Sequence, residues 1–136
     1  MGSHVSFEIP AVLDQIERVS DEINRCMTAE GMGDDQILDV QLAVEEAVTN
    51  SILHGYDGAR GTIGLRIEAD PHHVAVEITD GAPAFDPLSM PDPDIGADLE
   101  DRKIGGLGIF LIRQVMDEVT YRYEGNKNIL LLKKQT

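Results

Sequence analysis

Cysteine is almost missing from this chain of 136 residues: Cys26 is the single one, so no internal disulfide can form. That fits a reducing cytoplasm and argues against a small secreted module held by cross-links. Basic residues are also scarce, 11 Lys and Arg against 25 Asp and Glu, for a formal net charge of -14. Sequence-independent nucleic-acid binding is thereby excluded as an expectation, because its affinity comes from cations neutralising phosphates. The same imbalance means that an anionic ligand must be held locally, by backbone N–H groups, a metal ion or a few placed cations. No stretch approaches the ~20 apolar residues of a membrane span, and no charged-then-apolar leader opens the chain. The expected location is therefore cytoplasmic, with no membrane contact. Residues 1–4, MGSH, read as a tag remnant. No internal repeat occurs, and 42% hydrophobic content over this length suits one domain, residues 5–136. The adjacent His72 and His73 lack the spacing of a metal clamp and have no cysteine or third histidine nearby.

What the chain does contain centres on residues 39–54, DVQLAVEEAVTNSILH. Val40, Ala43, Val44, Ala47 and Val48 fall on one arc at helical spacing, which predicts an amphipathic helix against a core. Glu46 and Asn50 lie four residues apart on the flank of that arc, one turn above the other, and His54 continues the row. An amide oxygen suits a hard cation, and a carboxylate can orient or deprotonate a nucleophile. The same pair also describes an ordinary solvated helix face.

Around this helix the periodicities change in order. Residues 5–9 alternate as a short strand, and Pro10 has the fixed φ of a first helical turn. Val12, Ile16, Val19 and Ile23 recur at helical spacing over residues 11–27. Residues 29–35 break the pattern, with Asp34 or Asp35 placed to cap the next helix. Residues 60–69 and 72–79 alternate as two strands of a hairpin. Asp80 ends the second, as a turn residue or as a pocket carboxylate that accepts a hydrogen bond from an exocyclic amine. Residues 80–87, DGAPAFDP, begin a loop reaching Lys103, long enough to be functional. Gly105, Gly106, Leu107 and Gly108 then run into Ile109, Phe110, Ile112, Val115 and Met116 at helical spacing. Glycines opening a helix serve close packing, or aim N–H groups at an anion such as phosphate. The run is neither a Rossmann fingerprint nor a Walker loop: no strand stands just ahead, and no Lys-Ser or Lys-Thr follows. Residues 119–124 and 128–134 flank Gly125-Asn126 as a closing hairpin. The element count predicts an α+β fold, a two-layer α/β sandwich with helices on one face of the sheet.

The order of Glu46 and Asn50 on a helix, Asp80 after a hairpin, a long loop and glycines opening a helix resembles the GHKL or Bergerat-fold ATPases. Within them the runs EEAVTNSILHGY, AFDP and GGLGIFLIRQVMDEV are most similar to serine-kinase anti-sigma factors and their switch-protein-kinase relatives. The resemblance covers nearly the whole chain. It implies a single histidine kinase-like ATPase domain with a mixed, mostly antiparallel sheet that uses ATP or ADP with Mg2+. By position, it implies Asn50 as the Mg2+ ligand, Glu46 as the base toward an attacking hydroxyl, and Asp80 on the adenine amine. It places the backbone of Gly105, Gly106, Leu107 and Gly108 at the phosphates. Arg102 and Lys103, just ahead, are candidates for neutralising charge. The implied activity is protein serine/threonine kinase action on a STAS-like antagonist, with a sigma factor or substitute regulator as a further partner and a homodimer as the assembly. The alternative is a nucleotide-sensing module that sequesters a partner without kinase turnover. Three departures accompany this. Ala82 stands where the family usually has glycine in the adenine loop. The family's threonine near the closing hairpin has no counterpart in residues 125–128. Asp92, Asp94, Asp98, Glu100 and Asp101 load the long loop with charge that repels a nucleotide.

Overall fold

Alternation of apolar and polar residues carries through into a sheet with one buried face. The computed structural model describes residues 2–89 and 106–135. In chain order the strands are β1 (Ser3–Pro10), β2 (Thr62–Ala69), β3 (His73–Asp80), β4 (Glu118–Glu124) and β5 (Lys127–Gln135). The helices are α1 (Ile16–Ala29), α2 (Asp34–Asn50) and α3 (Gly106–Val115). The sheet runs β1-β2-β3-β5-β4, and among the described residues every neighbouring pair is antiparallel. The parallel pairing that a mixed sheet would include is not found there.

Ile63, Leu65 and Ile67 on β2, Val74, Val76 and Ile78 on β3, and Leu130 and Leu132 on β5 are all buried. Their strand neighbours Arg66, Glu68 and Lys133 are exposed on the other side, as a period of two requires. Helix α1 packs on β1 and β2, α2 on β3, and α3 on β4, so the helices form one layer, as expected. Val19 and Ile23 of α1 and Val40, Ala43, Val44 and Val48 of α2 are fully buried, each on the arc that spacing predicts.

Element ends differ from expectation for local reasons. The first strand starts at Ser3, which pairs with Ala69, and Pro10 is its last residue rather than the first of a helix. An edge strand tolerates proline there, since no inner neighbour needs its missing N–H. Helix α1 therefore begins only at Ile16, after a 3-10 turn over Leu13–Gln15, and Val12, assigned to the helical stripe, is 47% exposed. The residue capping α2 is Gly33, whose N–H donates to Gln36 Oε1 at 3.2 Å. Asp34 and Asp35 lie inside the first turn, where their charge favours the positive end of the helix.

The far end of α2 decides the site. Regular helix stops at Asn50 and widens into a π-helical turn over Ser51–Tyr56, closed by Asp57 in the left-handed region at φ 49°. Such one-turn widenings re-aim side chains and recur at functional positions. The row from Glu46 through Asn50 is broken by this turn, and His54 is exposed on it. Tyr56 fastens the turn to the sheet: its hydroxyl donates to Thr62 O at 2.6 Å and accepts from Gly81 N–H at 2.8 Å. Gly61 allows this, because a Cβ there would fall inside the Tyr56 ring. Gly61→Ala is expected to cost about 1–3 kcal/mol, the usual penalty for overpacking, read as a lower urea midpoint with an unchanged slope.

Helix α3 is held at its C-terminal end by Lys134, whose ammonium donates to Val115 O at 2.7 Å and lies 3.4 Å from Asp39 of α2. A cation on the last carbonyls of a helix is favourable. Arg113 of α3 donates to Leu88 O at 2.7 Å, tying the loop after β3 to the same helix. The closing turn has Gly125 at φ 60° and Asn126 at φ 62°, the left-handed pair that a two-residue hairpin needs.

Candidate functional site

Three structural ends meet in one crevice: the C-terminal end of α2 with its π turn, the paired ends of β3 and β5, and the first turns of α3. Ala47, Ile78, Leu130 and Ile109 make apolar walls, and Phe85, Pro87 and Tyr121 close the outer side. Asn50, Ser51, Asp80 and Asn128 are polar residues of its lining. The open space is about 30 Å3. A space of that size takes about two waters and is smaller than a purine.

Asn50 is 6% exposed, and among the described residues neither its Oδ1 nor its Nδ2 has a hydrogen-bond partner. Burying a carboxamide without partners costs about 1–3 kcal/mol, so such groups are rare in native structures and mark places where something else completes the bonding. The orphaned amide faces the crevice that Asp80 also lines.

Asp80 ends β3 on the inward face, after Val74, Val76 and Ile78, and is 7% exposed. Its Oδ1 accepts from Ala82 N–H at 3.1 Å and from Asn128 Nδ2 at 2.8 Å. Among the described residues Oδ2 receives no donor, and it faces Gly55, where an added Cβ would lie 3.9 Å away. The same Cβ would meet Ala82 Cβ at 3.3 Å, so glycine at 55 lets the π turn approach the loop after β3. Ala82 is buried and does not have a positive φ, so the strain expected from replacing a glycine is absent.

Glu46 occupies the turn before Asn50 and is half-buried, outside the lining of the crevice. Burial pushes its carboxyl up from the usual range, and the neighbouring Glu45 adds to the shift. A carboxylate raised in this way is better suited to accept a proton than a free one. Gly106, Leu107 and Gly108 form the first turn of α3, and Ile109, directly after them, stands in the crevice wall. Arg102, Lys103 and Gly105, with the acidic residues of the long loop, lie outside the described residues. Among the described residues no group of three or more His, Cys, Asp or Glu could hold a metal. The buried amide oxygen of Asn50 in the crevice has the chemistry of a candidate ligand for a hard cation.

The model of the histidine kinase-like ATPase domain matches residues 9–134. This chain belongs to the histidine kinase-like ATPase family. It is 28% identical over 138 residues to the serine-protein kinase RsbW of Listeria monocytogenes, covering 98% of this chain and 88% of that one. It is 29% identical over 137 residues to the serine-protein kinase RsbW of Staphylococcus epidermidis, covering 96% and 86%. In fold it resembles the RsbU and RsbW domains of a Mycobacterium tuberculosis protein, with a TM-score of 0.64 at 13% identity over 97% of this chain and 32% of that one. A blue-light activated histidine kinase from Erythrobacter litoralis gives a TM-score of 0.52 at 17% identity, covering 93% and 61%.

Within the histidine kinase-like ATPase family, two features of this chain escaped sequence reading. Asn128 pairs with Asp80 in the β3–β5 register, and its buried carboxamide contacts that carboxylate directly. Tyr56, bonded to Gly81, holds the residue just past Asp80. A signal for Asn128 was present, because it shares the inward alternation of Leu130 and Leu132, where a polar residue needs a partner. No comparable signal marked Tyr56.

Proposed function

We propose that this chain is an ATP- and Mg2+-dependent serine/threonine-protein kinase of the anti-sigma-factor type. The observation that carries the reading is the orphaned, buried carboxamide of Asn50 in the same crevice as the open carboxylate oxygen of Asp80. One is an oxygen ligand for a hard cation, and the other is an acceptor for an exocyclic amine. In the proposed arrangement Asn50 holds Mg2+ and Asp80 holds the adenine amine against the walls of Ile78 and Leu130. Gly106, Leu107 and Gly108 at the positive end of α3 face the phosphates, with Gly105, Arg102 and Lys103 contributing from the preceding segment. When bound, Mg2+-ATP supplies the transferable phosphoryl group and neutralises the charge that develops on it. Glu46 takes the proton from the attacking hydroxyl of the protein substrate. Positioning and charge neutralisation carry most of such a reaction, which suits a site with two carboxylates, one amide and few cations.

The RsbW relatives are named serine-protein kinases, and the proposed substrate is a Ser or Thr on a STAS-like antagonist. A sigma factor or substitute regulator is the proposed second partner, a homodimer the proposed assembly and the cytoplasm the proposed location. Purified protein, labelled ATP and its cognate STAS-like antagonist are expected to yield a phosphorylated antagonist in Mg2+ and none in chelator. Saturable ATP binding without any phosphoprotein would instead support the second reading, a nucleotide-sensing module that sequesters its partner. One observation favours that alternative: Glu46 stands outside the crevice lining.

A further inference from the structure

Helix α2 carries five carboxylates, Asp34, Asp35, Asp39, Glu45 and Glu46, and no Lys or Arg. Two large apolar side chains are exposed within this acidic surface: Leu38, 54% exposed, and Leu42, one turn on, 39% exposed. Single exposed leucines are ordinary, but two placed four residues apart on a helix form one continuous patch. The packing of α2 explains why they are left open. Gln41 and Glu45 lie against α1, where Gln41 Nε2 donates to Ser20 O at 3.0 Å and the Ser20 hydroxyl donates to Glu45. Asp39 turns the other way, 3.4 Å from Lys134, the residue that holds the end of α3. Leu38 and Leu42 stand between these flanks, opposite the buried row of Val40, Val44 and Val48.

Position along the helix connects the patch to the proposed chemistry. A step of four residues turns an α-helix about 40° beyond a full circle and advances about 6 Å. Leu38, Leu42, Glu46 and Asn50 therefore make one slowly winding row, from open surface through the half-buried Glu46 to the buried amide in the crevice. A protein that brings a hydroxyl to Glu46 has to lie over this side of α2, with its surface one turn away resting on Leu42. The other exposed large hydrophobics, Val12, Leu13 and Tyr123, are not on α2.

Charge selects the kind of partner. Among the described residues Asp39 alone of the five carboxylates is paired with a cation, so the leucines have an acidic rim. Apolar contact at the centre with opposite charges meeting at the edge is the usual make-up of a specific protein interface.

We propose that Leu38 and Leu42 form the docking patch for the protein substrate, which meets them with an apolar surface rimmed by Lys or Arg. The inference rests on the kinase reading above and deepens it, since it assigns substrate recognition to residues that touch neither the nucleotide nor the reacting atoms.

The test replaces both leucines, Leu38→Gln with Leu42→Gln, because glutamine keeps the length and helix preference of leucine without its apolar surface. Thermal melts establish folding, and calorimetry gives Kd values for Mg2+-ATP and for the cognate STAS-like antagonist. Antagonist Kd and KM are expected to rise at least roughly tenfold in the double variant, with the ATP Kd and the rate at saturating antagonist unchanged. Asp35→Asn, three residues before Leu38, is expected to weaken the antagonist by roughly two- to threefold at low salt and to lose that difference in high salt. An unchanged antagonist Kd in the double variant would overturn the inference. So would a wild-type dimer that the double variant splits while its antagonist Kd holds, because a second copy would then cover the patch. Failure of the kinase reading is a separate result, in which the wild type binds antagonist and transfers no phosphoryl group; the Kd comparison still decides the patch. Should the wild type bind no antagonist, the docking inference falls.

Discussion

Asn50→Ala is expected to make the ligand-free protein more stable and to remove its response to Mg2+-ATP. Both effects have one cause. Among the described residues the buried carboxamide has no partner on either polar atom, so deleting it relieves a penalty of about 1–3 kcal/mol, offset in part by the small cavity left behind. Alanine is also the better residue in the last turn of α2. A urea titration of the apo variant should therefore show a higher midpoint than wild type, whereas most buried polar-to-alanine changes lower it. Adding Mg2+-ATP should then raise the wild-type melting temperature by mass action and leave the variant nearly unmoved. A variant that is less stable in the apo form would mean that Asn50 has partners in solution, and its role as a reserved ligand would be lost.

Glu46→Gln is expected to lower the rate of phosphoryl transfer by roughly 10²–10⁴-fold, the usual share of a general base. Its stability should move the other way. Burial, with help from Glu45, raises the Glu46 carboxyl in the folded protein, so the folded state binds that proton more tightly than the unfolded chain. The stability contributed by protonation is fully present below the ordinary glutamate value of about 4.3, and is lost as pH rises through the raised value. At neutral pH the ionised side chain opposes folding, and glutamine removes that opposition. The half-exposed position keeps the gain small, because solvent screens the charge. Melting curves from pH 4 to pH 8 should show the variant and wild type converging at the acid end and separating toward pH 8. For the wild type, transfer should rise with pH through a midpoint above the ordinary glutamate range. An unchanged transfer rate in Glu46→Gln would remove Glu46 from the chemistry and favour the sensing module.

Periodicity made much of this molecule legible before any coordinates. The buried arc of α2, the β2–β3 hairpin and the glycine-led entry to α3 all follow from residue spacing, since each is decided within ten or so residues. Asp80 was legible because β3 continues its alternation to an acidic end. Asn128 was less so, although it obeys the same alternation on β5. Its meaning depends on β5 lying beside β3 rather than β2, and that pairing joins residues 48 apart in the chain. Tyr56 and Gly61 depend on a π turn, which no helical period encodes, because the turn forms where tertiary packing widens the helix end. Pro10 and the aspartates at 34 and 35 were assigned to caps by residue preference alone. The observed ends moved by a few residues because edge pairing of β1 and the Gly33–Gln36 contact prevailed over those preferences.

Net charge also takes on a different weight once the crevice is seen. At -14 overall, the chain cannot draw a triphosphate by its general field, and among the described residues the polar groups of the crevice carry no formal positive charge. In the proposed arrangement affinity comes from shape, the second oxygen of Asp80, the dipole of α3, a divalent cation on Asn50 and the two cations Arg102 and Lys103. Nucleotide affinity should therefore depend on Mg2+ more steeply than in a site built on lysine.

The most direct measurement is calorimetric titration of ATP into wild type and Asp80→Asn, in Mg2+ and again in chelator. Saturable binding by the wild type is predicted, strong in Mg2+ and weak in chelator, with Asp80→Asn at least tenfold weaker because its carboxamide can turn a donor toward the base amine. No heat of binding in the wild type, or equal affinity in wild type and variant, would contradict a nucleotide site formed by Asn50 and Asp80.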